Sequence, residues 1–182
     1  MHSTKNRNVF KPSIAVDMDG VLADVYKQFI AMHKDETSEL LSVGDLTGKT
    51  EAEAFPHILK HVNNPGFFST VPLIPGCQRV MERLNDHFEL FIVSAAMEFP
   101  NSLKEKYDWL SVHFPFIHWK QIVLCGSKSV INTDIMIDDH FKNLDVFKGQ
   151  RTILFTQPHN VMADPGKHHR VETWEEVEQI LL

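Results

Sequence analysis

Two aspartates, Asp17 and Asp19, follow the short apolar run Ile14-Ala15-Val16, and Gly20 comes directly after them. The apolar run predicts a buried strand, and the glycine predicts a turn at its carboxyl end. In an open α/β sheet, ligands bind beyond the carboxyl ends of the strands, which is where this acid pair would lie. An Asp-x-Asp pair by itself is also typical of a solvated acidic turn, so its meaning depends on the rest of the chain.

Three later segments repeat the pattern of an apolar run followed by a polar side chain. The polar residues are, in chain order, Ser94, Lys128 and the pair Asp138-Asp139. The apolar runs before them are residues 91–93, 121–124 and 135–137. An acid pair, a hydroxyl, a lysine and a second acid pair in this order resemble the haloacid dehalogenase-like phosphatase superfamily.

Phosphate monoester hydrolysis needs a nucleophile, a proton donor for the leaving oxygen and positive charge near the phosphoryl oxygens. Four of these side chains meet those needs: Asp17, Asp19, Ser94 and Lys128. Asp17 fits the nucleophile, which would form an aspartyl-phosphate. Asp19 fits the acid that protonates the leaving alkoxide and then takes a proton from the attacking water. Ser94 and Lys128 would bind the phosphoryl oxygens, and Lys128 would also neutralise Asp17.

Paired carboxylates beside a phosphate require a divalent cation between them. Oxygen ligands and a phosphate substrate select Mg²⁺. We therefore expect a Mg²⁺ site made from Asp17, Asp19, Asp138 and Asp139. The resemblance implies that one member of the second pair binds the ion directly, while the other acts through water or by orienting it. We favour Asp139 as the direct ligand.

Composition narrows the class of protein. The chain has 182 residues, of which 43% are hydrophobic and 23% charged, which is typical of one globular domain with a modest insertion. Its net charge of −6 argues against a nucleic-acid polymer as partner but not against a small phosphate ester. The two cysteines, Cys77 and Cys125, are expected to be reduced thiols. The polar N-terminus and the lack of a long apolar run predict a cytoplasmic protein without a membrane segment.

Strand and helix patterns alternate along the chain. Strands are predicted at 12–18, 88–94, 121–125, 133–138 and 153–155. Helices are predicted at 21–33, at 76–86, after Asn101 and from Thr173 onward. Asn101 is the predicted N-cap of the third helix, whose apolar stripe is Leu103, Tyr107, Leu110 and Phe114. Residues 157–170 are expected to be a loop. This order predicts an α/β fold with a mostly parallel, Rossmann-like sheet and helices on both faces.

Residues 35–68 have a polar, helical texture without a convincing strand, and they exceed what a simple crossover needs. We expect a small helical cap inserted after the first strand. The predicted organisation is a flexible leader at 1–11, a phosphatase core at 12–24 and 72–182, and a cap at 25–71.

Within the superfamily, residues 14–160 are most similar to 5'(3')-deoxyribonucleotidases. The matching segments are residues 17–24, 65–68, 72–76, 105–109, 121–124, 154–156 and 159–160. The resemblance implies that deoxyribonucleoside monophosphates are the substrates and that aromatic residues of the cap stack on the base, with Phe67 and Phe68 as candidates. Two positions depart from the family pattern: Val25 replaces an aromatic residue, and Ala95-Ala96 replaces a second hydroxyl and a proline.

Three other functions are compatible with these patterns. A phosphatase of the same mechanism could act on another small ester, such as a sugar phosphate. A phospho-accepting signalling receiver also uses acids, a hydroxyl and a lysine, although the predicted cap is unexpected there. A non-catalytic binding relative would more often lack Asp17 or Asp19.

Overall fold

A six-stranded sheet forms the centre of the computed structural model, which describes residues 11–182. The strands are β1 (Ser13–Asp17), β2 (Glu89–Ser94), β3 (Ile122–Leu124), β4 (Ile135–Asp138), β5 (Arg151–Phe155) and β6 (His169–Val171). Their order across the sheet is β3-β2-β1-β4-β5-β6, and all five pairings are parallel. The predicted α/β fold with a mostly parallel sheet is confirmed. The predicted leader at 1–11 lies outside the described residues, except for Lys11.

The strand order places a crevice between β1 and β4. From β1 the chain builds outward through β2 and β3, and it then returns to the other side of β1 to begin β4. Such a change of direction opens a crevice at the carboxyl ends of the two central strands. Asp17 is the last residue of β1 and Asp138 the last of β4, so both acid pairs lie at this crevice.

Apolar side chains cover both faces of the sheet. Ile14, Val16 and Ile137 belong to the larger cluster, which also includes residues of α4 (Cys77–His87), α5 (Ser102–His113) and α7 (Trp174–Leu181). The alternate residues Ala15 and Met136 belong to a smaller cluster with Leu144 of α6 (Phe141–Leu144). Successive strand residues point to opposite faces, which is why the apolar runs of β1 and β4 are continuous rather than alternating.

Residues 25–71, here called the insertion, contain three α-helices, which are α1 (Val25–Thr37), α2 (Glu51–Ala54) and α3 (Ile58–Val62), and a 3-10 helix at Val43–Leu46. The chain enters and leaves the insertion side by side. The Asp24 amide donates to the Pro72 carbonyl at 2.7 Å, and the Ile74 amide donates to the Leu22 carbonyl at 2.8 Å. These antiparallel bonds join the two chain segments at which the insertion begins and ends.

Several predicted details are wrong. The first helix begins at Val25, not Val21, because the amides of Val21, Leu22 and Ala23 all turn back to the Met18 carbonyl. His169–Val171, most of which was expected to be loop, is a sixth strand. Asn101 does not cap α5 with its side chain, which donates to the Val62 carbonyl instead.

The buried side of α5 also differs from the prediction. Leu110 and Phe114 are buried as expected, but Tyr107 is 46% exposed. The buried residues of the helix are Ser102, Lys106, Trp109 and Leu110. The prediction for the last helix holds at its start, where the Thr173 side chain accepts a hydrogen bond from the Glu176 amide.

Candidate active site

Three carboxylates converge where β1 and β4 end. One oxygen each from Asp17, Asp138 and Asp139 lies within 4.8 Å of the other two, and all three residues are buried. Gly20 allows this approach, because its φ is +74° and a Cβ at this position would overlap the Asp139 carboxylate. The two predicted acid pairs therefore meet, except for the Asp19 carboxylate, which is not part of this group. The group of three is called the carboxylate centre below.

Lys128 is the cation of the carboxylate centre. Its Nζ lies 2.6 Å from Asp17 Oδ1 and 2.6 Å from Asp138 Oδ2. Burial lowers the pKa of Lys128, but Asp17 and Asp138 outweigh burial and the net shift is upward. A buried charge needs such partners, since an unpaired ammonium in a protein interior is costly.

One lysine does not balance three buried carboxylates. The pKa of Asp17 is raised to about 8, mainly by burial; Lys128 opposes this shift, while Asp138, Asp139 and Asp19 add to it. Burial and the neighbouring Asp138 likewise raise the pKa of Asp139 well above its ordinary value. The group lacks positive charge, and a divalent cation among these oxygens would supply it.

The hydrogen bonds of the second acid pair differ between its two members. Asp138 accepts hydrogen bonds on both oxygens, from Lys128, from the His140 amide at 2.9 Å and from Asn143 Nδ2 at 3.0 Å. Within residues 11–182, Asp139 Oδ1 is buried and has no hydrogen-bond partner, and the same holds for Asp19 Oδ1. Buried carboxylate oxygens without partners are rare, and at this position they fit ligands of a hard cation such as Mg²⁺.

A second lysine, Lys106 of α5, was not predicted as a site residue. Its Nζ donates to Asp19 Oδ2 and, at 3.0 Å, to Ser94 Oγ. Lys106 is 2% exposed and lies in the helical stripe with Ser102, Trp109 and Leu110. The apolar stripe predicted for this helix gave no signal for Lys106, because the buried side of α5 is known only from the structure. A buried lysine requires an acidic partner or a ligand, and here Asp19 is that partner.

A cavity of about 280 Å³ opens above these groups. The predicted residues Asp17, Asp19, Lys128 and Asp139 line it, and so does Lys106. Ser94 and Asp138, which are 1% and 0% exposed, lie behind the lining and contact Lys106 and Lys128 respectively. The structure therefore gathers all six residues predicted for catalysis, phosphate binding and metal binding at one end of the cavity or directly behind it.

Another part of the cavity lining is aromatic. Phe67 and Phe68 belong to it, as do Phe29 and Phe99. The Phe67 ring centroid lies 5.0 Å from that of Phe29 and 4.8 Å from that of Phe68. Val25, where the resemblance leads one to expect an aromatic residue, also lines the cavity, and Phe29 follows it one helical turn later. These four phenylalanines are called the aromatic wall below.

Helix α5 connects the aromatic wall to the polar end. Glu105 accepts hydrogen bonds from the Gly66 amide at 2.7 Å and from the Phe68 amide at 2.9 Å, and it thereby fixes the turn that carries both predicted aromatic residues. The next residue, Lys106, places its Nζ 4.7 Å from the centroid of the Phe68 ring. Two adjacent residues of one helix therefore contact both the turn that carries the aromatic residues and the polar side chains Asp19 and Ser94.

Comparison with known proteins agrees with this geometry. The sequence model described as "5' nucleotidase, deoxy (Pyrimidine), cytosolic type C protein" matches residues 11–182. The chain belongs to this 5'-nucleotidase family. The 5'(3')-deoxyribonucleotidases of Bacillus subtilis (strain 168) and Bacillus phage SPbeta are each 38% identical to it over 175 residues, with 94% of this chain and 99% of the relative covered.

Solved structures place this 5'-nucleotidase in the haloacid dehalogenase-like fold. A haloacid dehalogenase-like hydrolase from Streptococcus pneumoniae superposes with a TM-score of 0.64 over 94% of this chain and 99% of its own, at 14% identity. The predicted 5'-nucleotidase family and the predicted enzyme class, a phosphoric monoester hydrolase, are both confirmed, and the structural likeness confirms the fold. Within residues 11–182 no helix has the length and apolar character needed to cross a bilayer.

Proposed function

We propose that this 5'-nucleotidase hydrolyses deoxyribonucleoside monophosphates to a deoxynucleoside and phosphate in a Mg²⁺-dependent reaction. The observation that carries the proposal is the cavity itself, which joins a carboxylate and lysine end to an aromatic wall. The first end suits a phosphate monoester and the second a flat, apolar base. The names of the Bacillus and phage relatives support the same substrate class.

Asp17 is the proposed nucleophile. Its hydrogen bonds from the Met18 amide at 2.7 Å and from Lys128 both fall on Oδ1, so Oδ2 is the oxygen we assign to the attack on phosphorus. As the aspartyl-phosphate bond forms, the bond to the leaving oxygen breaks and this oxygen takes the proton of Asp19. Asp19 then takes a proton from water, and the water oxygen displaces Asp17 from phosphorus.

Two lysines are proposed to hold the phosphoryl group from different sides. Lys128 extends from behind Asp17, and Lys106 extends from α5 with Ser94 at its ammonium group. An incoming phosphoryl oxygen would share Lys106 with Asp19 and Ser94. Donors placed in advance around the developing charge need no rearrangement during the reaction, which is the basis of electrostatic catalysis.

The predicted Mg²⁺ ligands were Asp17, Asp19, Asp138 and Asp139. The open Oδ1 of Asp139 supports its assignment as a direct ligand, and the four hydrogen bonds on Asp138 support an orienting role. The open Oδ1 of Asp19 keeps that residue among the candidates. When bound, the ion would neutralise the carboxylates and the phosphoryl oxygens.

The insertion is proposed to act as a cap that supplies base recognition. It contributes Phe29, Phe67 and Phe68 to the aromatic wall, whereas the core contributes the carboxylate centre. In this view residues 12–24 and 72–182 carry out the chemistry and residues 25–71 select the substrate.

A phosphate-release screen tests the proposal. Deoxyribonucleotides, ribonucleotides and pentose phosphates would be compared in Mg²⁺ and in chelator, with Asp17→Asn as the blank. We expect deoxyribonucleotides to give the highest kcat/KM, chelator to abolish turnover, and Asp17→Asn to lose all measurable activity. Preference for pentose phosphates would reject the nucleotide assignment. Activity of the Asp17→Asn protein near the wild-type rate would reject the mechanism.

A further inference from the structure

A second group of metal-ligating side chains lies beside the carboxylate centre and plays no part in the proposed reaction. Donor atoms of Glu51, His140 and His159 lie within 4.8 Å of one another. Glu51 is the first residue of α2 in the insertion, while His140 and His159 belong to the core. The two imidazole rings are stacked, with centroids 4.4 Å apart and planes inclined by 18°.

The hydrogen bonds around His159 determine which of its nitrogens carries a lone pair. Nε2 lies 3.0 Å from the carbonyl oxygen of Asp139, which can only accept, so Nε2 carries the hydrogen. In the neutral ring Nδ1 is then unprotonated. A histidine whose other nitrogen donates to a backbone carbonyl is the usual arrangement in metal sites, because this bond fixes both tautomer and ring orientation.

A count of hydrogens around Tyr26 leaves one of its two acceptors without a donor. The Tyr26 hydroxyl lies 2.8 Å from His159 Nδ1 and 2.9 Å from Glu51 Oε1. A tyrosine has a single hydroxyl hydrogen, whereas both neighbours, in their neutral and ionised forms respectively, can only accept. One of the two short contacts therefore lacks a hydrogen in this neutral form of His159, and either a second proton on His159 or a metal ion bound to these acceptors would satisfy the group.

A similar group elsewhere in the insertion already has its cation. Glu36 accepts from His57 and His61, each at 3.0 Å, and also from the ammonium group of Lys60. Lys60, His57 and His61 lower the pKa of Glu36 to about 2. Within residues 11–182, the only basic side chain within 4.0 Å of the Glu51 carboxylate is His159, at 3.9 Å.

We propose that Glu51, His140 and His159 form a second cation site, for a transition-metal ion such as Zn²⁺. Two imidazoles and one carboxylate suit Zn²⁺, whereas the oxygen-only carboxylate centre suits Mg²⁺. The two sites adjoin, since His140 Nε2 lies 3.9 Å from Asp139 Oδ2. An ion at the second site would join residue 51 of the insertion to residues 140 and 159 of the core, and so hold the insertion over the cavity.

X-ray absorption at the zinc edge tests the site without reference to turnover. The full chain would be loaded with one equivalent of Zn²⁺ in saturating Mg²⁺. We expect two imidazole ligands at about 2.0–2.1 Å. Ligation by oxygen alone would place the ion in the carboxylate centre and overturn the proposal. Because hydrolysis is not measured, neither result affects the nucleotidase assignment, which the phosphate-release screen tests separately.

Binding titrations of variants locate the ion. Glu51→Gln and His140→Gln should each weaken Zn²⁺ binding by about tenfold or more, and each should remove its own ligand from the absorption spectrum. Glu36→Gln, the matched control, should leave the Zn²⁺ affinity and the absorption spectrum unchanged. Tyr26→Phe should retain or tighten binding, because the hydroxyl competes for Glu51 and His159. If Tyr26→Phe weakens binding as much as Glu51→Gln, the group is a hydrogen-bonded structural unit and the proposal fails.

Discussion

The two ends of the cavity are built by different means. The carboxylate centre lies at the ends of two adjacent parallel strands, and its charges are fixed by buried hydrogen bonds and by Lys128. The aromatic wall comes from helix α1 and from turn and bend residues, and its rings pack against one another. The positions of the carboxylates depend on strand register and charge, whereas the positions of the aromatic rings depend on how their shapes pack. In the proposed function, the chemistry would belong to the strand ends and the selectivity mainly to the insertion.

Lys106 is the residue that most strongly challenges this division, because it touches Asp19 and Ser94 at one end and the Phe68 ring at the other. Lys106→Met keeps the apolar stem and removes the charge. If the lysine binds the phosphoryl group, we expect kcat/KM to fall by about 10²–10³-fold on every substrate, including a base-free ester. Steady-state kinetics on a deoxyribonucleotide and on p-nitrophenyl phosphate provide the measurement.

The matched control for Lys106 is on the same helix. Lys104 is paired with Asp108 and its side chain is 82% exposed, so Lys104→Met should leave kcat/KM within about twofold of wild type, as expected for a surface pair. A loss confined to deoxyribonucleotides in Lys106→Met would assign the lysine to the aromatic wall instead of the phosphate.

The two ends also differ in how far the sequence predicts them. Asp17, Asp138 and Lys128 were identified because apolar runs mark strands, and parallel strands bring their carboxyl ends to one edge. Lys106 was missed because a charged residue in the middle of a helix is usually exposed, and only the packing of α5 shows that it is not. Phe29 lies in the helix predicted at 21–33, and nothing in the sequence distinguishes a cavity wall from a core contact there.

Errors in the predicted elements have similarly local causes. Val21, Leu22 and Ala23 have the apolar character of a helix, yet they form a turn around the Met18 carbonyl, and Asp24 caps the helix only afterwards. Strand β6 has three residues, two of them polar, so its sequence is too short and too polar to show the alternation of apolar and polar residues that marks a strand. Its strand conformation comes from pairing with β5, which is a tertiary contact.

The aromatic wall is tested by a change that removes a ring and keeps most of the volume. Phe67→Leu should raise KM for a deoxyribonucleotide by about ten- to a hundredfold, because stacking on an aromatic ring contributes about 1–3 kcal/mol per base. Hydrolysis of p-nitrophenyl phosphate should change little, since the carboxylate centre is untouched. Leucine is preferable to alanine because Phe67 is 2% exposed, and a large cavity there would itself destabilise the fold.

Phe55→Leu is the control for packing alone. Phe55 is fully buried and its ring lies 5.1 Å from that of Phe29, but it does not line the cavity. It should lower the thermal midpoint as much as Phe67→Leu does and leave KM unchanged. Equal rises in KM for both variants, or equal losses on both substrates for Phe67→Leu, would show that Phe67 serves packing only.

The smallest expected effect concerns the stability of the carboxylate centre. The pKa of Asp17 is about 8 in the folded chain against an ordinary value of 3.8, so the folded state holds a proton that the unfolded state has released between these values. In chelator, the free energy of unfolding therefore falls as pH rises from about 4 to 8, and above 8 the full cost of the buried charge is present. Asp17→Asn removes this cost, and Lys128 keeps Asp138 as its partner.

The Asp17→Asn variant should melt a few degrees above wild type at pH 8, since 1 kcal/mol corresponds to about 2–4 °C in a domain of this size. The difference between the two melting temperatures should narrow at pH 5. Mg²⁺ should raise the wild-type midpoint at pH 8 and affect Asp17→Asn less. Thermal unfolding at both pH values, with Mg²⁺ and with chelator, provides the measurement. A lower midpoint for Asp17→Asn at pH 8 in chelator would mean that the nucleophile stabilises the fold. The carboxylate centre would then resemble the aromatic wall in being held together by its own contacts.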